Sequence, residues 1–267
     1  MSKNVVIFDV DMPYKTLSKT KAKELKALTG KKERDRQGLF LAEGEKCVSD
    51  LLKAFHPEYL VCNSEWIGSH LELCKRYEEE ILISDKRGLE IISSFSSLPD
   101  VIGVFRKPSE YSDALLLDKD KLYLLLDEIQ DPGNLGTIIR TCDWFGVYDI
   151  YASENTVDAY GPKVVQSTMG SLARVRVHYT DLESLILSNR HIPVMGALLE
   201  GEPYKEFSSI AHGILLMGNE GRGISDKLKQ LITLPLTIPP SNPLCHPDSL
   251  NVAIATSILL SHLTTKN

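Results

Sequence analysis

The chain has 267 residues, with 30 Lys plus Arg against 36 Asp plus Glu, and is 43% hydrophobic and 25% charged. These proportions exclude a disordered or collagen-like chain, and the length suggests two domains rather than one. The formal net charge of −6 argues at first sight against a nucleic-acid partner. Resolved along the chain it does not: Pro13 to Arg36 carries seven Lys and two Arg against three acids, a local +6, which leaves −12 elsewhere. Such asymmetry is the footprint of a local phosphate-binding surface on an acidic molecule, although a charge run is more often a solvated helix face. The longest strongly apolar runs, such as Leu122 to Leu126, are far short of a membrane span, and no secretory leader pattern opens the chain, so a cytoplasmic protein is expected. The five Cys (47, 62, 74, 142, 245) are scattered with no C-x-x-C pair, which favours small reduced buried residues over a disulfide or zinc framework.

Residues 13–108 read as a small αβ domain. Leu17, Leu25 and Leu28 mark one face of a Lys-rich helix starting near Ser18, with Gly30 as its stop. Phe40 to Ala42 is a short apolar run, and a helix is expected around Cys47 to Phe55. Tyr59 to Cys62, Ile81 to Ile83 and Val101 to Phe105 read as strands. A polar stretch over 109–120, entered through Lys107-Pro108, reads as a linker. From 121 to 267 strands alternate with helices. Strands are expected at Leu122 to Leu126, Tyr148 to Tyr151, Val175 to Tyr179, Pro193 to Leu198 and Gly213 to Met217. Helices are expected at Leu135 to Phe145, Lys163 to Leu172 and Leu250 to Leu263. That alternation implies a mostly parallel sheet, whose ligands bind beyond the carboxyl ends of the strands.

Three segments sit at such ends. Asp127 to Cys142 follows the first strand, with Asp131-Pro-Gly forming a turn, Asn134 or Thr137 a candidate helix cap, and Arg140 in the second turn facing the loop. Gly218-Asn-Glu220-Gly-Arg-Gly-Ile-Ser225 follows a buried strand with three Gly around one acid, which allows close approach of a ligand. The third runs from Leu236 through a Pro-rich loop to Ser249-Leu-Asn251-Val, where Asp248 or Ser249 is the expected cap of the last helix. Cys245-His246 is a weak metal or nucleophile pair, because adjacent side chains rarely face one centre and no further ligand spacing appears. Neither a Walker loop nor a dinucleotide fingerprint is present, which disfavours a nucleotide-dependent dehydrogenase or hydrolase.

In this order, Asp131-Pro-Gly-Asn134-Leu-Gly-x-Ile-x-Arg140-Thr, Gly218-Asn-Glu220-Gly-x-Gly-Ile-Ser225 and Ile238-Pro239 leading to Ser249-Leu-Asn251-Val resemble the three motifs of the SpoU/TrmH-type RNA ribose methyltransferases of the SPOUT superfamily. The resemblance covers about 121 to 263, and Lys15 to Lys107 looks like the family's RNA-recognition domain. It implies an α/β fold whose C-terminal, mostly parallel sheet contains a trefoil knot, preceded by a smaller αβ RNA-binding domain. It also implies S-adenosylmethionine as cofactor, a homodimer, and methyl transfer to a ribose 2′-hydroxyl in structured RNA, with ribosomal favoured over transfer RNA. Carried over motif by motif, Asn134, Arg140, Glu220, Ser249 and Asn251 are the catalytic candidates. Gly218, Ile238 and Leu250 are cofactor-contact candidates, with Ala197 or Leu198 a further one on the same wall. Lys19, Lys21, Lys23, Lys26, Lys31, Lys32, Arg34 and Arg36 are the RNA-binding candidates on the basic segment. No metal is implied. The chain departs from the pattern in its 238–249 stretch, about three residues longer than usual. The alternative readings are a non-catalytic RNA-binding protein that keeps the fold, and a transfer-RNA methyltransferase.

Overall fold

The computed structural model describes residues 14–108, 116–207, 212–242, 244 and 247–265. Its first half is a five-stranded sheet flanked by helices. The elements are β1 (Lys15–Thr16), α1 (Lys19–Ala27), α2 (Lys31–Gln37), β2 (Leu39–Glu43), α3 (Glu45–Leu51), β3 (Pro57–Cys62), α4 (Ser64–Ser69), α5 (Leu71–Arg76), β4 (Ile81–Ile83), α6 (Lys86–Ile92) and β5 (Val101–Arg106). Strand order is β1-β4-β3-β5-β2, with β5 antiparallel to both its neighbours.

The second half contains β6 (Leu122–Leu126), α7 (Pro132–Phe145), β7 (Asp149–Ala152), α8 (Pro162–Ser167), β8 (Arg176–Tyr179), α9 (Leu182–Ser188), β9 (Val194–Pro203), β10 (Gly213–Met217), α10 (Asp226–Lys229), β11 (Leu234–Thr237) and α11 (Val252–Thr264). Its six strands run in the order β11-β9-β10-β6-β7-β8, and every neighbouring pair is parallel. The central strands β6 and β10 are nearly continuous apolar runs because helices cover both faces of a parallel sheet.

Several local expectations shift. The Lys-rich segment is two helices: α1 closes at Leu28, and Gly30 is the N-cap of α2 rather than a stop. Lys-Lys-Glu-Arg-Asp-Arg-Gln has no apolar residue, so no periodicity announces α2. The N-cap of α7 is Asp131, whose Oδ1 accepts from the backbone N–H of Asn134 at 2.8 Å, and Pro132 takes the first helical position where its fixed φ fits. Asn134 therefore lies inside the first turn and is not the cap. The cap of α11 is Asn251, not Asp248 or Ser249, with its Oδ1 accepting from Ala253 N–H at 2.9 Å and Ile254 N–H at 3.3 Å. β11 escapes the sequence reading because Pro235 interrupts a short apolar run, which an edge strand tolerates.

The two sheets share one core. Phe40 and Phe105 of the first half join Tyr160 and Val165 of the second in a single buried cluster, and the Phe40 and Tyr160 ring centroids are 4.9 Å apart. Cys47, Cys62, Cys74 and Cys142 are buried free thiols. Burial pushes Cys47 up to about 12 and Cys74 up to about 11, so neither is a ready thiolate. Among the described residues no helix is long and apolar enough to cross a membrane.

Candidate active site

The chain winds outward from β6 through β7 and β8, then crosses back to β9 and inserts β10 between β9 and β6. The strand order thus reverses between β6 and β10, and the crevice beyond their carboxyl ends is where such a sheet binds ligands. The segments after these two strands are laced together there. Asp127 N–H donates to Met217 O at 2.9 Å, Ser225 N–H to Asp127 Oδ2 at 2.7 Å, and Asn219 Nδ2 to Glu128 O at 2.7 Å. Gly218 makes the close approach possible: a Cβ on it would lie 2.2 Å from the backbone N of Ile224 and 2.3 Å from the carbonyl carbon of Gly223.

Three motif residues meet in this crevice. Glu220 Oε1 accepts from Asn134 Nδ2 at 3.0 Å and from Asp131 N–H at 3.3 Å, while its Oε2 accepts from Gln130 N–H at 3.4 Å. Asn251 Nδ2 donates to Asn134 Oδ1 at 2.8 Å. The Asn134 amide is thus held at both ends, by an acid after β10 and by the cap of α11, and its orientation is fixed by pairing. Ser249 and Leu250 complete the wall of a cleft of about 610 Å³ that also includes Gln130, Asp131 and Val252. The Ser249 side chain is exposed to that cleft.

Arg140 is not brought into this group. Because α7 starts three residues earlier than Leu135, Arg140 lies six residues beyond Asn134, about 9 Å further along the axis and on another face. It lines a different cleft, beside Lys46, Asp143 and Arg174. Gly218 and Ile238 directly follow β10 and β11, and Ala197 and Leu198 lie within β9; none of them is on the wall of this cleft. β9 runs beyond Leu198 to Pro203, and its pairing with β11 jumps from Gly196 to Glu202, so Ala197 to Gly201 bow out of the ladder. Thr237 Oγ1 ties that bow by donating to Leu199 O at 2.9 Å. Ala197 and Ile238 both pack on the main core from this end.

The basic segment is partly spent on the protein itself. Arg34 is 4% exposed: Nε and Nη2 donate to Asp158 Oδ2 at 2.9 and 2.7 Å, and Nη1 to the carbonyls of Leu28 and Thr29 at 2.9 and 2.7 Å. A guanidinium can be buried only with its charge and donors matched, so Arg34 ties the two halves together and is not an RNA contact. Lys26 donates to Ser93 O at 2.6 Å, and Lys21 donates to Glu24 at 2.9 Å while lying 4.2 Å from the Tyr59 ring centroid. Arg36 is paired with Glu33. Lys19, Lys23, Lys31 and Lys32 are exposed and make no such bonds among the described residues. Cys245 and His246 lie outside the described residues. Among the described residues no group of three His, Cys, Asp or Glu could hold a metal.

Comparison with known proteins assigns this architecture. Residues 121–261 match the SpoU rRNA Methylase family, and residues 19–96 match the MRM3-like substrate binding domain. The chain belongs to the SpoU rRNA methylase family. It is 34% identical over 251 residues to the 23S rRNA (guanosine(2553)-2′-O)-methyltransferase RlmP of Bacillus subtilis, covering 91% of this chain and 95% of that protein. It is 27% identical over 248 residues to the 23S rRNA (uridine(2479)-2′-O)-methyltransferase of Streptomyces viridochromogenes, covering 87% and 85%. Among solved structures, the AdoMet-bound rRNA methyltransferase of Sinorhizobium meliloti matches with a TM-score of 0.80 at 30% identity, over 93% of this chain and 95% of that one. A TrmH-family protein from Porphyromonas gingivalis matches with a TM-score of 0.81 at 35% identity, over 93% and 98%.

Proposed function

We propose that this chain transfers a methyl group from S-adenosylmethionine to a ribose 2′-hydroxyl of ribosomal RNA. The observation that carries the reading is the convergence of Asn134, Glu220 and Asn251, from three distant segments, on one hydrogen-bonded cluster at the switch point of the sheet. The relatives that span nearly the whole chain supply the reaction and the RNA class.

The residues present suit the cofactor. The bowed Ala197 to Gly201 segment of β9 and the chain leaving β10 at Gly218 offer peptide groups, and Leu250, 48% exposed, and Ile238 offer apolar faces for a purine. Peptide groups from the Gly218 region, with Ile238 and Leu250, would hold the cofactor, and the polar cluster would face its amino-acid end or the ribose. When bound, the cofactor supplies a methyl already activated by the positive sulfur. The protein's task is alignment. Glu220 and Asn251 lock the Asn134 amide, and the Ser249 hydroxyl is available to hold the ribose. A guanidinium is a poor base, so the role proposed for Arg140 is to grip the neighbouring phosphate.

Since Arg140 stands apart from the Asn134 cluster, a second copy completes the site. The exposed Trp144 on α7 and Ile254 on α11 form the apolar face proposed for a homodimer. The first sheet and its helices are read as the recognition domain, 121–267 as the catalytic domain with the family's trefoil knot, and the cytoplasm as the compartment. Calorimetry tests the reading: S-adenosylmethionine should bind the wild-type protein and Arg140→Ala alike, while Arg140→Ala loses methyl transfer. Absence of binding heat and of any melting shift favours the non-catalytic RNA-binding alternative.

A further inference from the structure

The second cleft lies on the seam between the two halves of the molecule, has a volume of about 330 Å³, and takes its walls from α3, α7 and the turn before β8. Its charges are layered. Asp50, on α3, is 9% exposed and accepts from Lys46 Nζ at 2.5 Å and Lys53 Nζ at 2.6 Å. Asp143, on α7, is 13% exposed and is gripped by Arg174, with Nε to Oδ1 at 2.8 Å and Nη2 to Oδ2 at 2.6 Å. The cations stand outside them: Lys46 and Lys53 are 68% and 69% exposed and Arg174 is 44% exposed. Arg140 is a fourth cation and is in no ion pair among the described residues. Two inner carboxylates therefore hold three outer cations, and with Arg140 the seam carries a net +2 at its surface.

Pinning matters more than the sum. Each lysine ammonium has three donors and the guanidinium five, so the bonds to Asp50 and Asp143 leave donors directed outward while the long side chains are already ordered. A phosphate arriving there meets cations whose rotamer freedom is already restricted. The seam is built with backbone cost. Met169 takes a left-handed φ of 51° and Gly170 one of 90°. A Cβ on Gly170 would lie 2.6 Å from the Asp50 Cβ, so this turn is shaped to seat Asp50.

Resting on the reading of an RNA substrate, we infer that Lys46, Lys53 and Arg174 form with Arg140 a binding subsite for RNA backbone phosphates at the seam, separate from the free lysines of α1 and α2. The site spans both halves, so it carries a strand from the recognition side onto the face of α7 that bears Arg140. Asp50 and Asp143 are positioning residues that hold the cations in place.

The test is RNA binding by the full chain, measured by fluorescence anisotropy with a generic RNA duplex of about 16 base pairs between 50 and 200 mM KCl. Lys46→Gln with Lys53→Gln should lower the magnitude of the log–log salt slope by about 1.8 and weaken binding roughly tenfold at low salt. S-adenosylmethionine affinity should stay within twofold, and Lys46→Arg with Lys53→Arg should restore the slope. Because the Gln pair leaves Asp50 without partners, the unmodified protein is followed in parallel by hydrogen exchange. Bound RNA should slow exchange at 45–54 and 169–175. An unchanged slope in the Gln pair, or no added protection along the seam, overturns the subsite. If the unmodified protein shows no salt-dependent RNA binding, the RNA reading itself falls, and the subsite with it.

Discussion

The crevice beyond β6 and β10 and the basic helices α1 and α2 both present polar groups at the molecular surface, but they are assembled differently. In the crevice, Asn134, Glu220 and Asn251 come from segments 86 and 117 residues apart and bond to one another, so each group is held by its partners. In the helices the charges come from one short segment, and their uses diverge: Arg34 is in the interior, Lys21 and Lys26 are bound to the protein, and Lys23, Lys31 and Lys32 are exposed with no bonded partner among the described residues. A site is defined by convergence, whereas a charge run becomes one only where folding leaves the charges unspent.

The largest effect is expected at Arg34. Arg34→Ala strands the buried Asp158 carboxylate and should cost about 3–5 kcal/mol in urea denaturation, whereas Arg34→Met with Asp158→Leu should recover most of it. Wild-type stability in Arg34→Ala, with RNA affinity lost instead, would return this residue to the surface group. Next comes Asn134→Ala, which removes the shared partner of Glu220 and Asn251. Single-turnover methyl transfer should fall about 10²-fold while the melting temperature barely moves, because misplacement of an aligning group has that scale. A rate within a factor of three of wild type would show that the cluster does not align the reactants.

At Asp50 the expectation concerns pH. Hydrogen bonds from Lys46 and Lys53 hold its carboxyl below the usual carboxylate range. The stability it contributes is therefore complete above about pH 4, the unfolded value, and is lost as pH falls through the lower folded value. Asp50→Asn should lower the melting temperature at pH 7, and the gap should shrink as pH falls below the unfolded value; a gap that does not shrink with acid contradicts the ion-pair origin. The smallest contrast lies within the helices. Lys23→Gln with Lys32→Gln should flatten the salt dependence of RNA binding by about 1.8, while Lys21→Gln with Lys26→Gln should change it by less than half as much. Equal effects from the two pairs would mean that internal bonding does not withdraw a lysine from the RNA surface.

What was legible in the sequence follows the same division. The parallel sheet was legible because β6 and β10 are compact apolar runs, and the crevice was legible because motif residues follow strand ends directly. The position of Arg140 was not, because it depends on where α7 begins, and Asp131-Pro132 starts that helix three residues before its first apolar side chain. Arg34 was misread because its partner lies 124 residues away, which no local charge count detects. The cap of α11 was placed two or three positions early because Asp248, Ser249 and Asn251 are all competent cap residues, and only the Asn251 side chain reaches the backbone of Ala253 and Ile254.

The central claim is ribose methylation of ribosomal RNA at the crevice where Asn134, Glu220 and Asn251 meet. Its most direct test is a map of 2′-O-methyl positions across total RNA from cells with and without the gene, repeated after restoring either the wild-type chain or Asn134→Ala. A discrete ribosomal position should lose its methyl group without the gene, regain it with the wild-type chain and not regain it with Asn134→Ala. Ribosomal RNA methylated identically in all four cell types, or a lost methyl group confined to transfer RNA, would contradict it.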